Sequence, residues 1–166
     1  MSILDKFRLD GKVALVTGGN RGLGRQMAQA LAEAGANVAV VSRKPEEAQA
    51  AAEAVQSSTG RECRGYGCDV ASPPQVEALA QRTLADFGQV NILVNNAGIN
   101  IRGPIDELTL DQFKEVQEIN VTGPWLICRA FAKHFNERGA GRVIIVGSSL
   151  STVTMPNRTP YASSKG

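Results

Sequence analysis

The sequence is poor in the residues that mark several protein classes. Aromatic residues make up 5% of its 166 residues, histidine occurs once, and the net charge is only +2. Lys and Arg are interspersed with Asp and Glu, without a basic stripe, so nucleic-acid binding and membrane-surface binding are not expected. No apolar run approaches the roughly 18 residues of a membrane span, and the N-terminal residues lack the apolar core of a signal peptide. We therefore expect a cytoplasmic protein.

The scarce cysteine and histidine residues also argue against a metal site. Cys63, Cys68 and Cys128 are odd in number, have no metal-ligand spacing and lie in apolar or strand-like segments. They are predicted to be free, buried thiols. His134 falls in a helical stretch and is predicted to lie on the helix surface rather than to act in catalysis.

The sequence does have the composition of a globular protein, with 43% hydrophobic and 20% charged residues. Its length is within the range of one domain, and no internal repeat or Pro/Ser-rich linker divides it. One nucleotide-binding domain is therefore predicted over residues 1–166.

Apolar runs rich in Val and Ile alternate with helix-like stretches. The runs predict strands buried on both faces; they occupy residues 13–17, 37–42, 91–95 and 142–147, with a weaker strand at 62–69. Helices are predicted at 22–34, 45–58, 73–87, 109–138 with a break at Gly123-Pro124, and from Thr159 onwards. On the first helix, the apolar face is predicted to comprise Leu23, Met27, Ala30, Leu31 and Ala34. This order predicts an α/β fold, a three-layer, doubly wound parallel sheet of Rossmann-like type.

A glycine-rich turn follows the first predicted strand, with the sequence TGGNRGLG at residues 17–24. Glycines allow the backbone to approach a pyrophosphate closely, and the following helix N-terminus offers free N–H groups. A tight structural turn is the alternative, but the strand before it and the amphipathic helix after it favour a nucleotide site. The predicted binding residues are Gly18, Asn20, Arg21, Gly22, Leu23 and Gly24.

The end of the second predicted strand reads Ser42-Arg43-Lys44. An acidic residue at this point accepts from the ribose 2′-hydroxyl of NAD in many dinucleotide-binding folds, and none is present here. Arg43 can bind a 2′-phosphate bidentately, and Arg21 can approach the same group. The sequence therefore favours NADP(H) over NAD(H), with Ser42 and Arg43 at the site. The alternative is that Arg43 lies in a solvated loop.

Tyr161 and Lys165 are four residues apart, which places them on one face of the last predicted helix. A nearby ammonium lowers the pKa of a tyrosine from about 10 and makes its hydroxyl a usable acid or base. Taken alone, such a pair is more often an ordinary surface pair. Its interpretation depends on the motifs upstream.

These motifs occur in a fixed order along almost the whole chain. They are TGxxxGxG at 17–24, Asp69-Val70, Asn95-Asn96-Ala97-Gly98, Asn120, Ser148, and Tyr161 with Lys165. Together they resemble the short-chain dehydrogenase/reductase family. The resemblance implies hydride transfer between a nicotinamide and a small carbonyl or alcohol substrate.

The resemblance also implies roles for four catalytic residues. Tyr161 would exchange a proton with the substrate oxygen, and Ser148 would hold that oxygen by a hydrogen bond. Lys165 would bind the nicotinamide ribose, and Asn120 would support a water-linked proton relay to it. Ser148 is chosen over Ser149 because it lies thirteen positions before Tyr161, the usual family spacing.

Further residues are implied in nucleotide binding. Asp69, with Val70 beside it, would accept from the adenine amino group. Asn95 to Gly98 would line the adenosine ribose and brace the central strand, with Asn96, Ala97 and Gly98 as the binding residues. Tyr161 and Lys165 would contact the nicotinamide end.

The chain departs from the family by ending at Gly166, soon after Lys165. We interpret it as C-terminally truncated, with the sheet incomplete at its C-terminal edge. A homo-oligomer is expected for the full-length protein and is left open for this chain. The isolated 166-residue chain is expected to show little turnover, and rates comparable to those of the full-length protein would contradict this.

Substrate choice is only partly encoded in the loops at 99–106 and 149–160. Each contains an arginine, Arg102 and Arg158, which could face a carboxylate or a polyhydroxylated substrate or could simply be solvated. The motifs look most like those of gluconate 5-dehydrogenases, followed closely by 3-oxoacyl-carrier-protein reductases. Two other hypotheses remain: a catalytically silent nucleotide-binding regulatory or scaffolding protein, and a purely structural fragment.

Overall fold

A computed structural model describes residues 2–166, so Met1, the first residue of the predicted domain, lies outside it. Its centre is a five-stranded parallel sheet with the order β3-β2-β1-β4-β5. The strands are β1 (Val13–Thr17), β2 (Asn37–Ser42), β3 (Cys63–Gly67), β4 (Ile92–Asn95) and β5 (Arg142–Ile145). The strand order reverses beside β1, which confirms the predicted doubly wound, Rossmann-like fold.

Helices connect the strands in the predicted alternation. They are α1 (Gly22–Glu33), α2 (Pro45–Thr59), α3 (Pro73–Phe87), α4 (Leu110–Gln117), α5 (Gly123–Arg138) and α6 (Thr159–Lys165). Short 3-10 turns occur at Ile3–Phe7 and Ser149–Ser151. Proline at the first turn of α2 and of α3 fits the prediction, because the first N–H of a helix has no intrahelical partner.

Two apolar cores lie on opposite faces of the sheet, as a three-layer fold requires. Successive residues of β1 alternate between them: Leu15 faces the core formed with α3 and α5, and Val16 faces the core formed with α1 and α2. All five residues of β1 are buried. The central strand is therefore covered on both faces.

The buried face of α1 differs from the prediction. Gly24, Ala28 and Ala32 are its buried residues, whereas Leu23 is 69% exposed and Ala30 is also exposed. Small residues at this i, i+4 spacing let the helix backbone approach the sheet closely, which larger side chains would prevent. Met27 and Leu31, two of the predicted residues, are half-buried and pack against the same core.

The prediction that 142–147 is buried on both faces is wrong. In β5, Val143, Ile144 and Ile145 are 47%, 49% and 62% exposed. The strand pairs with β4 on one side and is one of the two edge strands of the sheet in residues 2–166, with β3 at the other edge. The expectation of an uncovered edge at this strand is confirmed.

The predicted break in the long helical stretch is present, and its form is a π-helical segment at Glu118–Thr122 between α4 and α5. Gly123 follows it, and a Cβ there would come within 2.9 Å of the Val70 side chain. Glycine therefore allows the start of α5 to lie against Val70. Asn120, inside the π segment, is buried.

The three thiols are free, as predicted, but only Cys63 and Cys68 are buried; Cys128 is half-buried. Burial raises the pKa of each of the two buried thiols to about 11. Among residues 2–166 no group of His, Cys, Asp and Glu could hold a metal ion, and no helix is long and apolar enough to cross a membrane.

Candidate active site

Every predicted nucleotide-binding residue from Gly18 to Gly98 lines one cavity of about 780 Å³. The parallel register explains this, because it brings the carboxyl ends of β1, β2 and β4 to one edge of the sheet. Six further residues line the cavity and were not predicted to bind the nucleotide: Val41, Lys44, Glu47, Cys68, Ile99 and Ile119.

The glycine turn fits a pyrophosphate. Gly18 and Gly22 have φ angles of 63° and 55°, in the region that glycine favours. A Cβ at Gly24 would overlap the carbonyl oxygen of Gly18, so the start of α1 lies directly against the turn. Arg21 precedes α1 without a side-chain cap, which leaves the first N–H groups of the helix free for an anion.

The end of β4 holds this turn in place. The Asn96 side chain donates to the carbonyl oxygens of Thr17 and Gly18 at 3.0 and 3.2 Å. The Thr17 hydroxyl accepts from the backbone N–H groups of Asn96 and Ala97 at 3.0 and 3.1 Å. Asn95 points elsewhere: its amide lies 3.6 Å from the Cys128 sulfur, and it does not line the cavity.

Charged side chains cluster at the end of the cavity near β2. Arg21, Arg43 and Lys44 line it together with one carboxylate, Glu47. Glu47 is 2.8 Å from the Lys44 ammonium and accepts a 2.7 Å hydrogen bond from the Asn20 side chain. The hydrogen bond from Lys44 lowers the pKa of Glu47. The i, i+3 spacing of Lys44 and Glu47 at a helix start was the sequence signal for this pair.

The ends of β2 and β3 complete the cavity wall. The Ser42 hydroxyl donates to the Lys44 carbonyl oxygen at 2.7 Å and so shapes the loop that carries Arg43. One carboxylate oxygen of Asp69 accepts from the Ala71 N–H at 3.0 Å. Asp69 lines the cavity, and its second carboxylate oxygen has no hydrogen-bond partner within residues 2–166.

Tyr161 and Lys165 share one face of α6, as predicted. The Lys165 ammonium lies 5.8 Å from the centre of the Tyr161 ring and donates a 2.8 Å hydrogen bond to the Val146 carbonyl oxygen. Burial lowers the pKa of Lys165. The α6 helix packs against the turn that Ser148 caps, where the Ser148 hydroxyl accepts from the Leu150 N–H at 3.1 Å.

The π segment connects the cavity to α6. The Asn120 carboxamide accepts from the Ile99 N–H at 2.9 Å and donates to the Ile99 carbonyl oxygen and the Ser164 hydroxyl at 3.0 and 2.9 Å. Gln117, which was not predicted, donates to the Pro160 carbonyl oxygen at 3.0 Å. Its signal was the three-residue spacing from Asn120, which puts both amides on one side of the helix.

The four predicted catalytic residues do not line the 780 Å³ cavity themselves. Ile99 links the two groups, since it lines the cavity and its backbone is held by Asn120. His134 lies at the opposite edge of the sheet, where its Nε2 is 3.2 and 3.0 Å from the backbone N and O of Val90, just before β4. It is half-buried rather than freely exposed.

The two predicted substrate loops meet. The Gly103 N–H donates to the Asn157 carbonyl oxygen at 3.3 Å, and Asn157 has a φ of 61°. Within residues 2–166, three buried side-chain polar atoms have no hydrogen-bond partner: Asn95 Oδ1, at the end of β4, Asn100 Oδ1 and one terminal nitrogen of Arg158. The last two belong to the two substrate loops.

Comparison with known proteins identifies relatives over nearly the whole chain. The sequence pattern described as short chain dehydrogenase matches residues 12–166. A D-threitol dehydrogenase of Mycolicibacterium smegmatis is 39% identical over 165 residues, which cover 99% of this chain and 63% of that protein. The chain thus spans a little under two thirds of the length of this relative.

Solved structures agree with this match. A gluconate 5-dehydrogenase from Burkholderia cenocepacia in complex with NADP and tartrate has a TM-score of 0.94 and 38% identity, covering 99% of this chain and 64% of that one. An NAD+-bound xylitol dehydrogenase has a TM-score of 0.91 and 34% identity, covering 97% and 61%. With the glycine turn and the ordered strand-end motifs, these matches show that the chain belongs to the short-chain dehydrogenase family of oxidoreductases.

Proposed function

We propose that the full-length protein is an NADP(H)-dependent oxidoreductase that interconverts a secondary alcohol and a ketone, with Tyr161 as the general acid and base. The observation that carries this proposal is the connection from the nucleotide cavity to α6. Asn120 holds Ile99 at the cavity and Ser164 in the helix that bears Tyr161 and Lys165. Nucleotide site and proton donor are therefore part of one hydrogen-bonded unit.

The nucleotide would be held by groups already positioned at the strand ends. The free N–H groups at the start of α1 would bind the pyrophosphate, and Asp69 would accept from the adenine amino group. Arg21 and Arg43 would bind the 2′-phosphate of NADP(H). Similar proteins carry either NADP or NAD+, so the cationic rim is the support for NADP(H).

The proton chemistry would be performed by side chains of α6 and the turn before it. A bound nicotinamide supplies or accepts the hydride at the substrate carbon. In reduction, Tyr161 would give its hydroxyl proton to the carbonyl oxygen, and in oxidation it would take that proton back. Ser148 would donate a hydrogen bond to the same oxygen. Lys165 would stabilise the phenolate. The hydrogen bond to the Val146 carbonyl oxygen uses one of its three N–H donors, which leaves two for this role.

The proposed substrate is a polyol or a sugar acid. D-threitol, gluconate and xylitol dehydrogenases are among the similar proteins, and each name denotes a polyhydroxylated compound. The unpaired buried atoms of Asn100 and Arg158, where the two substrate loops meet, support a polar substrate. A single nucleotide-binding domain over residues 1–166, a cytoplasmic location and a homo-oligomer remain further proposals.

The test is a kinetic comparison of two tyrosine variants of the full-length protein. Tyr161→Phe is expected to lower turnover by at least about 100-fold, the usual contribution of general acid–base catalysis, while NADPH still binds. The matched control is Tyr66→Phe, because Tyr66 is the only other tyrosine and donates to Asp86 at 2.7 Å, away from the cavity. Unchanged turnover in Tyr161→Phe would contradict the proposal.

The substrate panel separates the remaining alternatives. Threitol, xylitol, gluconate and a 3-oxoacyl thioester are offered with the corresponding oxidised or reduced nucleotide. Turnover with the thioester alone would favour the reductase alternative. Binding of NADPH without turnover of any substrate would favour a catalytically silent nucleotide-binding protein. Tighter binding of NADH than of NADPH would overturn the nucleotide preference.

A further inference from the structure

Two carboxylates line the nucleotide cavity, Asp69 after β3 and Glu47 in the first turn of α2, and Glu47 lies with three cations. Glu47 stands with Arg21, Arg43 and Lys44 in the cavity wall. Its two oxygens are both engaged, one by the Lys44 ammonium at 2.8 Å and the other by the Asn20 amide at 2.7 Å. Glu47 therefore joins the loop after β2 to the glycine turn after β1.

We propose that Glu47 is a specificity-determining residue that limits the preference for NADP(H) by keeping Lys44 and Asn20 as its own partners. The inference rests on the proposed nucleotide site. Because the ammonium of Lys44 is paired with Glu47, it is withheld from the 2′-phosphate. Arg21 and Arg43 have no such carboxylate partner among the ion pairs of residues 2–166.

Electrostatics makes the effect selective for one nucleotide. NADP(H) differs from NAD(H) by a 2′-phosphate of about two negative charges, whereas the ribose hydroxyl that replaces it is neutral. A carboxylate on the cavity rim repels the 2′-phosphate and has little effect on the neutral 2′-hydroxyl. Lys44 and Glu47 side chains are 67% and 43% exposed, so solvent screening keeps the effect modest. For charges about 8 Å apart in water, removing the carboxylate changes binding of the phosphate about five-fold.

A neighbouring residue supplies a matched control. Glu46 lies on the same first turn of α2, is exposed and does not line the cavity. Glu46→Gln and Glu47→Gln therefore remove the same charge from adjacent positions. Only the second change breaks the contacts with Lys44 and Asn20.

The experiment measures the dissociation constants of NADPH and NADH for the full-length protein by fluorescence titration at low salt. Glu47→Gln is expected to raise the ratio of the NADH constant to the NADPH constant about five-fold, with the NADH constant changed less than two-fold. Glu46→Gln is expected to leave the ratio within two-fold. The rise in this ratio caused by Glu47→Gln should be smaller in about 0.5 M salt, where the screening length falls to a few Å.

A second variant tests the part assigned to Lys44. Adding Lys44→Gln to Glu47→Gln is expected to remove most of the gain, because losing the ammonium attraction offsets losing the carboxylate repulsion at the phosphate. An unchanged ratio in Glu47→Gln, or an equal rise in both glutamate variants, would overturn the inference and leave the proposed function intact. Persistence of the full gain in the double variant would overturn the role of Lys44. Failure of the unaltered protein to bind NADPH would overturn the proposed function itself.

Discussion

The Gln117 amide donates a 3.0 Å hydrogen bond to the carbonyl oxygen of Pro160, the residue that precedes Tyr161. The same nitrogen lies 3.0 Å from the Ser163 hydroxyl, which also donates to Pro160 at 3.0 Å. One turn further along, Asn120 donates to Ser164. The short α6 helix is thus held against α4 and the π segment at two points on either side of Tyr161.

Gln117→Leu removes the first of these contacts with little change in side-chain volume. A hydrogen bond of this kind contributes roughly 1 kcal/mol, so we expect kcat to fall about 5- to 10-fold as Tyr161 loses its position. The dissociation constant of NADPH should stay within two-fold, because Gln117 does not line the cavity. Steady-state kinetics and nucleotide titration of the full-length protein separate these two effects.

The control for this variant is Glu118→Leu, which changes an exposed neighbour in the adjacent π segment. It is expected to retain the kcat of the unaltered protein. Equal values of kcat in the two variants would show that Gln117 does not position α6.

Gly24→Ala tests the closeness of α1 to the glycine turn. The added Cβ would overlap the Gly18 carbonyl oxygen and lie close to the Asn96 amide, so the turn or the helix must shift. We expect NADPH affinity to fall by at least about 10-fold, since the first N–H groups of α1 move away from the pyrophosphate. Isothermal titration with NADPH measures the loss.

Gly60→Ala is the matched glycine variant. Gly60 ends α2 with a φ of 68° and has open space around it, so alanine there is strained but meets no neighbour. Stability should fall by about 1 kcal/mol, with NADPH affinity unchanged. If both variants lost affinity equally, the loss would reflect general destabilisation rather than the contact at Gly24.

The sheet and the nucleotide cavity could be predicted because their signals are local. Val- and Ile-rich runs mark the strands, although the run that forms β5 is not buried, and the turn at 17–24 carries its glycines in the sequence itself. Parallel strands end at one edge, so residues after separate strands, such as Arg43 and Asp69, converge on one cavity. This convergence follows from parallel strands alone and does not depend on their order in the sheet.

The features that were not predicted depend on neighbours distant in sequence. The buried row of α1 is set by the close approach of the helix to the sheet, which excludes Leu23 in favour of Gly24. The exposure of Ile145 follows because β5 belongs to neither apolar core, although β3, at the other edge of the sheet, contributes to both. Glu47 and Gln117 acquire their roles only when α2 meets the glycine turn and α4 meets α6.

Burial of Cys63 predicts a specific pH dependence of stability. Its pKa is raised by burial from its ordinary value of 9.0 to about 11, so the folded state holds the thiol proton more tightly than the unfolded state. This contribution is fully present below pH 9 and is lost as the pH rises towards 11, by up to about 2 to 3 kcal/mol. Urea unfolding at intervals between pH 8 and 11 measures it.

Cys63→Ala isolates the thiol from other groups that titrate in this range. The variant leaves a small cavity, which costs roughly 1 kcal/mol at every pH. The variant should therefore be the less stable protein below pH 9 and, because the loss of about 2 to 3 kcal/mol exceeds the cavity cost, the more stable one near pH 11. A constant difference across this range would contradict the raised pKa of Cys63.

Replacing His134 is expected to lower stability without changing catalysis. Its Nε2 lies 3.2 Å from the backbone nitrogen of Val90, which is fully buried, at the edge of the sheet opposite the nucleotide cavity. The same Nε2 lies 3.0 Å from the Val90 carbonyl oxygen, and the tautomer decides which of the two backbone groups it bonds. In His134→Leu the Val90 backbone loses this partner, and we expect the free energy of unfolding to fall by about 1 to 3 kcal/mol. The kcat of the full-length protein should be unchanged below its unfolding temperature. His134→Gln, whose amide can accept from the Val90 N–H or donate to the Val90 carbonyl oxygen, should recover part of the lost stability. A loss of kcat in His134→Leu without a loss of stability would instead give this histidine a part in the reaction.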